Sequence, residues 1–254
     1  METTALSKEM EQHTYGIMND VEDKHWWFVG RRAILESFLE RIIRSIPSPK
    51  SQVRILDVGC GTGANLEMLK QFGDSEGVDV SDDALEFCRK KGLKVHKGLA
   101  EELPFADESF DLVTALDVVE HLDDDIAGLK EMRRILKKGG KTMIFVPAFM
   151  WLWGVQDDIS NHRIRYTKKQ IVERLEKAGF EIERATYANI TFFAPILAGR
   201  VFMKLTGIKP ESENNVNVSA LNGFFGRIFS SEKYWLEKAN FPFGVSIVIV
   251  AEKK

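Results

Sequence analysis

An α/β fold on a seven-stranded, mostly parallel sheet is predicted for this 254-residue chain by three observations. Between Val53 and Val146 short β-branched runs alternate with longer amphipathic ones, which is how successive βαβ units read. A glycine-rich turn, ILDVGCGTGANL from Ile55 to Leu66, joins the first of these runs to a helix. The last run, VSIVIVA, is apolar apart from Ser246, as a strand buried on both faces tends to be.

Val53 to Val58 reads as the first strand and Gly61 to Phe72 as the turn and helix after it. Ser75 to Val80 is the second strand. Asp82 to Lys91 is a helix with Ser81 as its N-cap, because a serine oxygen can accept a free N–H of the first turn. Leu93 to Lys97 makes a short third strand. After the Leu103-Pro104-Phe105 break, Phe110 to Leu116 is the fourth strand. Asp123 to Lys138 is a helix stopped by Gly139-Gly140, and Lys141 to Val146 the fifth strand, ended by Pro147. Thr167 caps a helix to Lys177, Gly179 punctuates it, Phe180 to Tyr187 is the sixth strand and Phe243 to Ala251 the seventh.

Two segments lie outside this alternation. The N-terminal part contains a helix from Arg31 with Ile34, Leu35, Phe38, Leu39, Ile42 and Ile43 at helical spacing, set off by Pro47-Ser48-Pro49. About Asn189 to Asn240 is an insertion of two helical pieces around the polar stretch ESENNVNVSA, which reads as a mobile loop. The chain is expected to be one domain: an accessory lid over 1–50, a core over 51–188, the insertion over 189–240 and the last strand over 241–254.

A net charge of −3 with 44% hydrophobic and 29% charged residues lacks the basic excess of a nucleic-acid binder. Cys60 and Cys88 cannot build a disulfide framework and lack metal-ligand spacing, so a cytoplasmic location is expected. Neither a secretion signal nor a spanning segment is expected.

Gly59, Gly61 and Gly63 follow a strand and open a helix, so the turn can let a ligand touch its backbone and meet free helix N–H groups. Asp79 ends the second strand, where doubly wound folds place a carboxylate on ribose hydroxyls. DVGCGTG, GVDVS, GLAEELPFADESFDLVTALDVVEHL and EMRRILKKGGKTMIFVP stand in the order and spacing of class I S-adenosylmethionine-dependent methyltransferases, and the chain resembles the small-molecule (type 11-like) group of that family. The resemblance implies a Rossmann-like sheet of order 3-2-1-4-5-7-6 with strand 7 antiparallel, and S-adenosyl-L-methionine as cofactor. It implies that Asp57 orients the loop and the amino-acid end of the cofactor, Asp79 holds the ribose hydroxyls and Val80 packs on the adenine. Ala100 and Glu101 would border the adenine edge, and Asp117 would face the methionine end. Leu99 stands where many relatives carry an aspartate.

The acceptor is expected beyond the carboxyl ends of the strands, over Asp117 to His121 and the loop PAFMWLWGVQDDISNHRIRYT. That loop supplies Trp151, His162, Arg163, Arg165 and Tyr166, and HWWFVGRR adds Trp26, Trp27, Arg31 and Arg32. Aromatic walls with guanidinium groups suit a planar or apolar acceptor bearing an anionic group. His162 and His121 are the candidate bases, against purely structural roles for each. No metal-ligand motif appears, and Asp123-Asp124-Asp125 reads as an acidic helix start. The insertion helix reads as a lid or dimer contact ahead of a membrane-surface contact, and the chain as a monomer or homodimer. The expected reaction is O- or N-methylation of a small or lipid-linked acceptor. A non-catalytic cofactor-binding sensor and an NAD(P)-dependent oxidoreductase are the alternatives.

Overall fold

The computed structural model describes residues 12–208 and 221–254, so the ESENNVNVSA stretch lies outside the described residues. Two helices, α1 (Gln12–Val21) and α2 (Trp26–Ser45), precede the sheet. There follow β1 (Arg54–Val58), α3 (Ala64–Leu69), β2 (Asp74–Asp79), α4 (Asp82–Lys90), β3 (Val95–Lys97), β4 (Phe110–Leu116), α5 (Asp125–Ile135) and β5 (Leu136–Pro147). Then come α6 (Val155–Ile159), α7 (Lys168–Lys177), β6 (Glu181–Ala188), α8 (Phe193–Thr206), α9 (Asn222–Ser230), α10 (Glu232–Leu236) and β7 (Ser246–Glu252). The strand order is β3-β2-β1-β4-β5-β7-β6, with β7 antiparallel to both of its neighbours, as the resemblance implies. The chain leaves β1 toward β2 and later returns to its other side as β4, so the crevice of this sheet opens at the carboxyl ends of β1 and β4.

Alternation along the strands decides which helices cover which face. Leu56, Val58, Val113, Ala115, Ile144 and Val146 pack with Leu129, Met132 and Ile135 of α5 and with Ile171 and Leu175 of α7. Ile55, Leu112, Met143, Phe145, Val248 and Val250 point the other way, onto Ile34, Leu35, Phe38, Leu39 and Ile42 of α2, Phe229 of α9 and Leu236 of α10. The apolar stripe of the N-terminal helix is therefore half of the main core.

Local capping places several elements where their sequence puts them. The Ser81 side chain accepts from the Ala84 N–H, and Thr167 forms a capping box with Gln170. Asp124 caps α5 by accepting from the Ala127 N–H. Three expectations change. The long N-terminal helix begins at Trp26, because the His25 ring accepts from the Trp27 N–H and serves as its cap; HWWFVGRR is thus mostly helix. The helix expected to reach Lys138 ends at Ile135, because Leu136 is buried and pairs with Phe110 as the start of β5. Gly139 and Gly140 then lie in an irregular stretch of β5, before regular pairing resumes at Lys141 opposite Leu112. Among the described residues the insertion holds three helices, α8, α9 and α10, where two helical pieces were expected, and α8 carries Pro195 without a break. Pro195 is the third residue of that helix, where the N–H it lacks has no intrahelical acceptor. No helix among the described residues is long and apolar enough to cross a membrane.

Candidate functional site

The turn between β1 and α3 needs glycine for two different reasons. A Cβ at Gly63 would stand 2.5 Å from Leu93 Cδ1, and one at Gly59 would stand 2.4 Å from Val118 Cγ2. These two are bare so that neighbouring side chains can pack. Gly61 has φ +52°, and a Cβ there would meet nothing within 4 Å; it faces open space. Its N–H donates to Asp79 Oδ2 at 2.8 Å, while the Ser81 N–H donates to Asp79 Oδ1 at 3.0 Å. Of the three glycines expected to meet a ligand, Gly59 and Gly61 line the cavity and Gly63 does not.

That open space is a cavity of about 730 Å³, within the roughly 300–1,000 Å³ usual for small-molecule sites. One end is walled by Gly59, Gly61, Asp79, Val80, Leu99, Ala100 and Glu101. The other reaches Asp117, His121, His162 and Arg165. Tyr15 and Met18 of α1, Trp26 and Trp27 of α2, and Ile196 and Met203 of α8 close over it. Glu22, whose buried carboxylate accepts the Thr62 hydroxyl, ties α1 to the glycine turn.

Asp57 does not reach the wall. It is buried behind the turn, where Thr114 Oγ1 donates to its Oδ1 at 2.7 Å. Burial pushes its carboxyl up to about 7, against the Thr114 bond and the Arg31 charge, which lower it. A carboxyl raised from 3.8 favours the folded chain while protonated, so its stabilisation is complete below pH 3.8 and is lost as pH rises through about 7. The cofactor-free protein is expected to lose up to about 4 kcal/mol across that window from this group. Denaturant unfolding at several pH values should show the slope, and Asp57→Asn should flatten it; an unchanged slope would remove Asp57 as its source.

Arg31 and Asp117 form the centre of the site. Arg31 Nη2 lies 2.7 Å from Asp117 Oδ2, and its Nη1 donates to Asn65 Oδ1 at 3.3 Å. Its guanidinium carbon lies 4.9 Å from the centre of the Phe145 ring and 5.3 Å from that of Trp27, contacts that a planar cation makes well. Asp117 holds φ +61° at the end of β4, a strained backbone of the sort found at functional sites. Burial raises its carboxyl, opposed first by Arg31 and then by His162 and Arg165.

At the far end Glu120, His121 and His162 come together. Glu120 is fully buried, and neither of its carboxylate oxygens has a hydrogen-bond partner. The rings of His121 and His162 meet edge to face, centroids 4.7 Å apart. Burial and then the charges of His162 and Arg163 push His121 down to about 3, so its ring is neutral. His162 Nδ1 lies 2.8 Å from Asp157 Oδ1. Burial alone would raise Asp157, but the His162 bond and the Arg165 charge bring its carboxyl down to about 2.

The remaining expected acceptor residues are engaged by the protein itself, Arg165 at the cavity wall and the others away from it. Arg165 Nη1 donates to both Asp157 oxygens at 2.9 and 3.0 Å, and its Nε donates to the Ala148 carbonyl. Tyr166 is fully buried and its hydroxyl donates to Asp125 Oδ2 at 2.8 Å. Arg163 turns outward onto Asp123, Arg32 donates to the Glu22 carbonyl, and Trp151 is 59% exposed against Phe149. The pair of arginines expected over an anionic acceptor is thus one buried strut and one surface residue. Arg165→Ala should cost about 1.5–3 kcal/mol of stability, because it removes charge-assisted bonds from a buried carboxylate that keeps only His162, the Gly154 N–H and Arg200. Arg163→Ala should cost about 0–1 kcal/mol. Equal losses in denaturant unfolding would contradict this division. Glu22, Asn65, Glu120 and Asp157 escaped sequence reasoning, since no local motif marks them.

A family model described as a methyltransferase domain matches residues 56–144. An uncharacterized protein of Methanocaldococcus jannaschii is 30% identical over 172 residues, which are 65% of this chain and 80% of that protein. A demethylmenaquinone methyltransferase of Chlorobaculum parvum is 39% identical over 98 residues, 37% of this chain and 41% of the relative. The likeness to that enzyme is therefore confined to less than half of its length. Among solved structures, a SAM-dependent methyltransferase of Thermotoga maritima superposes with a TM-score of 0.62 at 26% identity, covering 97% of this chain and all of that one.

Proposed function

This chain belongs to the class I S-adenosylmethionine-dependent methyltransferase family, and on that premise we propose that it methylates a hydroxyl or amine of a small, largely apolar acceptor. The observation that carries the reading is the apolar lining of the cavity, to which Trp26, Trp27, Ile196, Phe202 and Met203 contribute. The arginines that reach it already face carboxylates: Arg31 faces Asp117, and Arg165 and Arg200 face Asp157. An anionic acceptor would have to compete with those carboxylates, whereas a neutral apolar body would not. The Chlorobaculum relative, named for demethylmenaquinone, points to the same class. In this reading α1, the first turn of α2 and α8 cover the cavity, while the rest of α2, with α9 and α10, belongs to the core of one domain, in the cytoplasm.

We place the adenine between Val80 and the Leu99–Glu101 wall and the ribose hydroxyls on Asp79, whose oxygens each keep a lone pair beyond the bonds to the turn. Arg31 then meets the methionine carboxylate and Asp117 the ammonium, which moves Arg31 from the acceptor to the cofactor. Asp57 acts from behind, as a support of the turn. Bound there, the cofactor would supply its sulfonium methyl beside His121 and His162, which we place against the nucleophilic atom of the acceptor. That atom would gain the methyl as the carbon–sulfur bond breaks, with the acceptor's proton released to solvent, so alignment and exclusion of bulk water are the main demands on the protein.

Asp79→Ala should weaken S-adenosylhomocysteine by about 1.5–3 kcal/mol, because it removes charge-assisted bonds to two hydroxyls. Calorimetry showing unchanged affinity would displace the ribose from this position. The acceptor reading is tested by supplying methyl-labelled S-adenosylmethionine with a lipid extract and with a water-soluble metabolite pool. Label is expected in the organic phase, and label confined to water-soluble products would contradict it.

A further inference from the structure

We propose that Glu120, His121 and His162 form a binding site for one divalent transition-metal ion, zinc by its donor set, opening into the far end of the cavity. One ligand atom from each of the three residues can be chosen so that all lie within 4.8 Å of one another. The set comes from two separate stretches of chain, the turn after β4 and the loop after α6, which is why no metal-binding spacing shows in the sequence.

Three features point to a cation. Glu120 is completely buried with both oxygens unpartnered, an arrangement that is costly unless something positive meets it. His162 Nε2 lies 3.9 Å from Glu120 Oε1, too far for a hydrogen bond. Metal–ligand bonds of about 2.0–2.2 Å put tetrahedral neighbours roughly 3.4 Å apart, so a modest inward movement of side chains suffices. The second feature is the bond from His162 Nδ1 to Asp157, at 2.8 Å. A carboxylate on the far nitrogen fixes the ring and leaves Nε2 as the lone pair toward Glu120, the outer-shell arrangement of metal-bound histidines. Asp157 is itself held by Arg165 and by the Gly154 N–H, so the support is rigid. The third feature is access: His121 and His162 line the cavity while Glu120 lies behind it. Two imidazoles and one carboxylate leave a coordination position open on the cavity side, as catalytic zinc sites do.

This inference rests on the methyltransferase reading only for its consequence. The open position would take the acceptor's hydroxyl oxygen, and the metal would stabilise its deprotonated form, with the proton passing to solvent as the acceptor binds. An oxygen acceptor is thereby favoured over an amine.

The chelator-treated full chain should be titrated calorimetrically with Zn²⁺ alone and, separately, with S-adenosylhomocysteine. One Zn²⁺ per chain is expected, weakened at least 100-fold in Glu120→Gln and in His162→Gln. A crystal soaked in Zn²⁺ and measured at the zinc edge should show its anomalous peak between the three side chains. That map decides the matter even where a variant fails to fold. No stoichiometric Zn²⁺ binding, a peak elsewhere, or variants that bind as the parent does would overturn the site. A chain that binds S-adenosylhomocysteine but not Zn²⁺ loses only the metal. One that binds Zn²⁺ but not S-adenosylhomocysteine keeps the metal and loses the cofactor placement.

Discussion

Gly61→Val is expected to weaken S-adenosylhomocysteine binding by at least about 100-fold while the chain still folds. The two halves of that result have separate causes. A Cβ at position 61 would meet nothing within 4 Å beyond its chain neighbours, so the main cost to the fold is a left-handed backbone, about 1–3 kcal/mol, against the roughly 5–15 kcal/mol that holds a domain together. The same side chain enters the cavity beside Asp79, where the cofactor must touch the backbone. Gly63→Val should do the reverse, disturbing the fold first, because Leu93 and Cys88 occupy its space. Circular dichroism and calorimetry on the two variants separate these effects. A Gly61→Val protein that binds within a few-fold of the parent would show the loop to be misread.

Arg31→Met should damage both stability and cofactor binding, by amounts that depend on pH. Breaking a buried ion pair from one side costs about 3–5 kcal/mol, because the remaining charge is stranded. Here that charge is Asp117, already raised by burial and held down chiefly by Arg31. Without the guanidinium its carboxyl rises further and takes up a proton more readily. The deficit should therefore be larger at pH 8 than at pH 5.5, because a carboxyl that takes up a proton as pH falls needs its partner less. Affinity for S-adenosylhomocysteine should fall by about 10- to 100-fold with the lost charged bond to its carboxylate. Stability curves at the two pH values check the first part. A deficit larger at pH 5.5 would contradict the assignment of Asp117 as the stranded group.

The parts of this molecule legible in its sequence are those fixed by local chemistry. The strand Phe110 to Leu116, the caps Ser81 and Thr167, and the carboxylate closing the second strand each depend on a few adjacent residues, and each stands where its neighbours put it. The order of the strands became legible only through resemblance, since pairing is decided by contacts across the whole chain. The end of α5 was misjudged because Leu136 has a partner in β4 that no local pattern reveals. The acceptor side was harder for the same reason. NHRIRYT looks like a basic face, yet Arg165 and Tyr166 point inward onto Asp157 and Asp125, and nothing near them in sequence foretells those partners. Glu120, in turn, reads as an ordinary polar residue until burial strips it of water.

A crystal structure with S-adenosylhomocysteine bound tests the central claim most directly. The ribose hydroxyls are expected on Asp79, the carboxylate on Arg31, and the sulfur turned toward His121 and His162 with the far half of the cavity free for an acceptor. A ligand that leaves Asp79 and Arg31 untouched, or whose sulfur faces away from the two histidines, would contradict it.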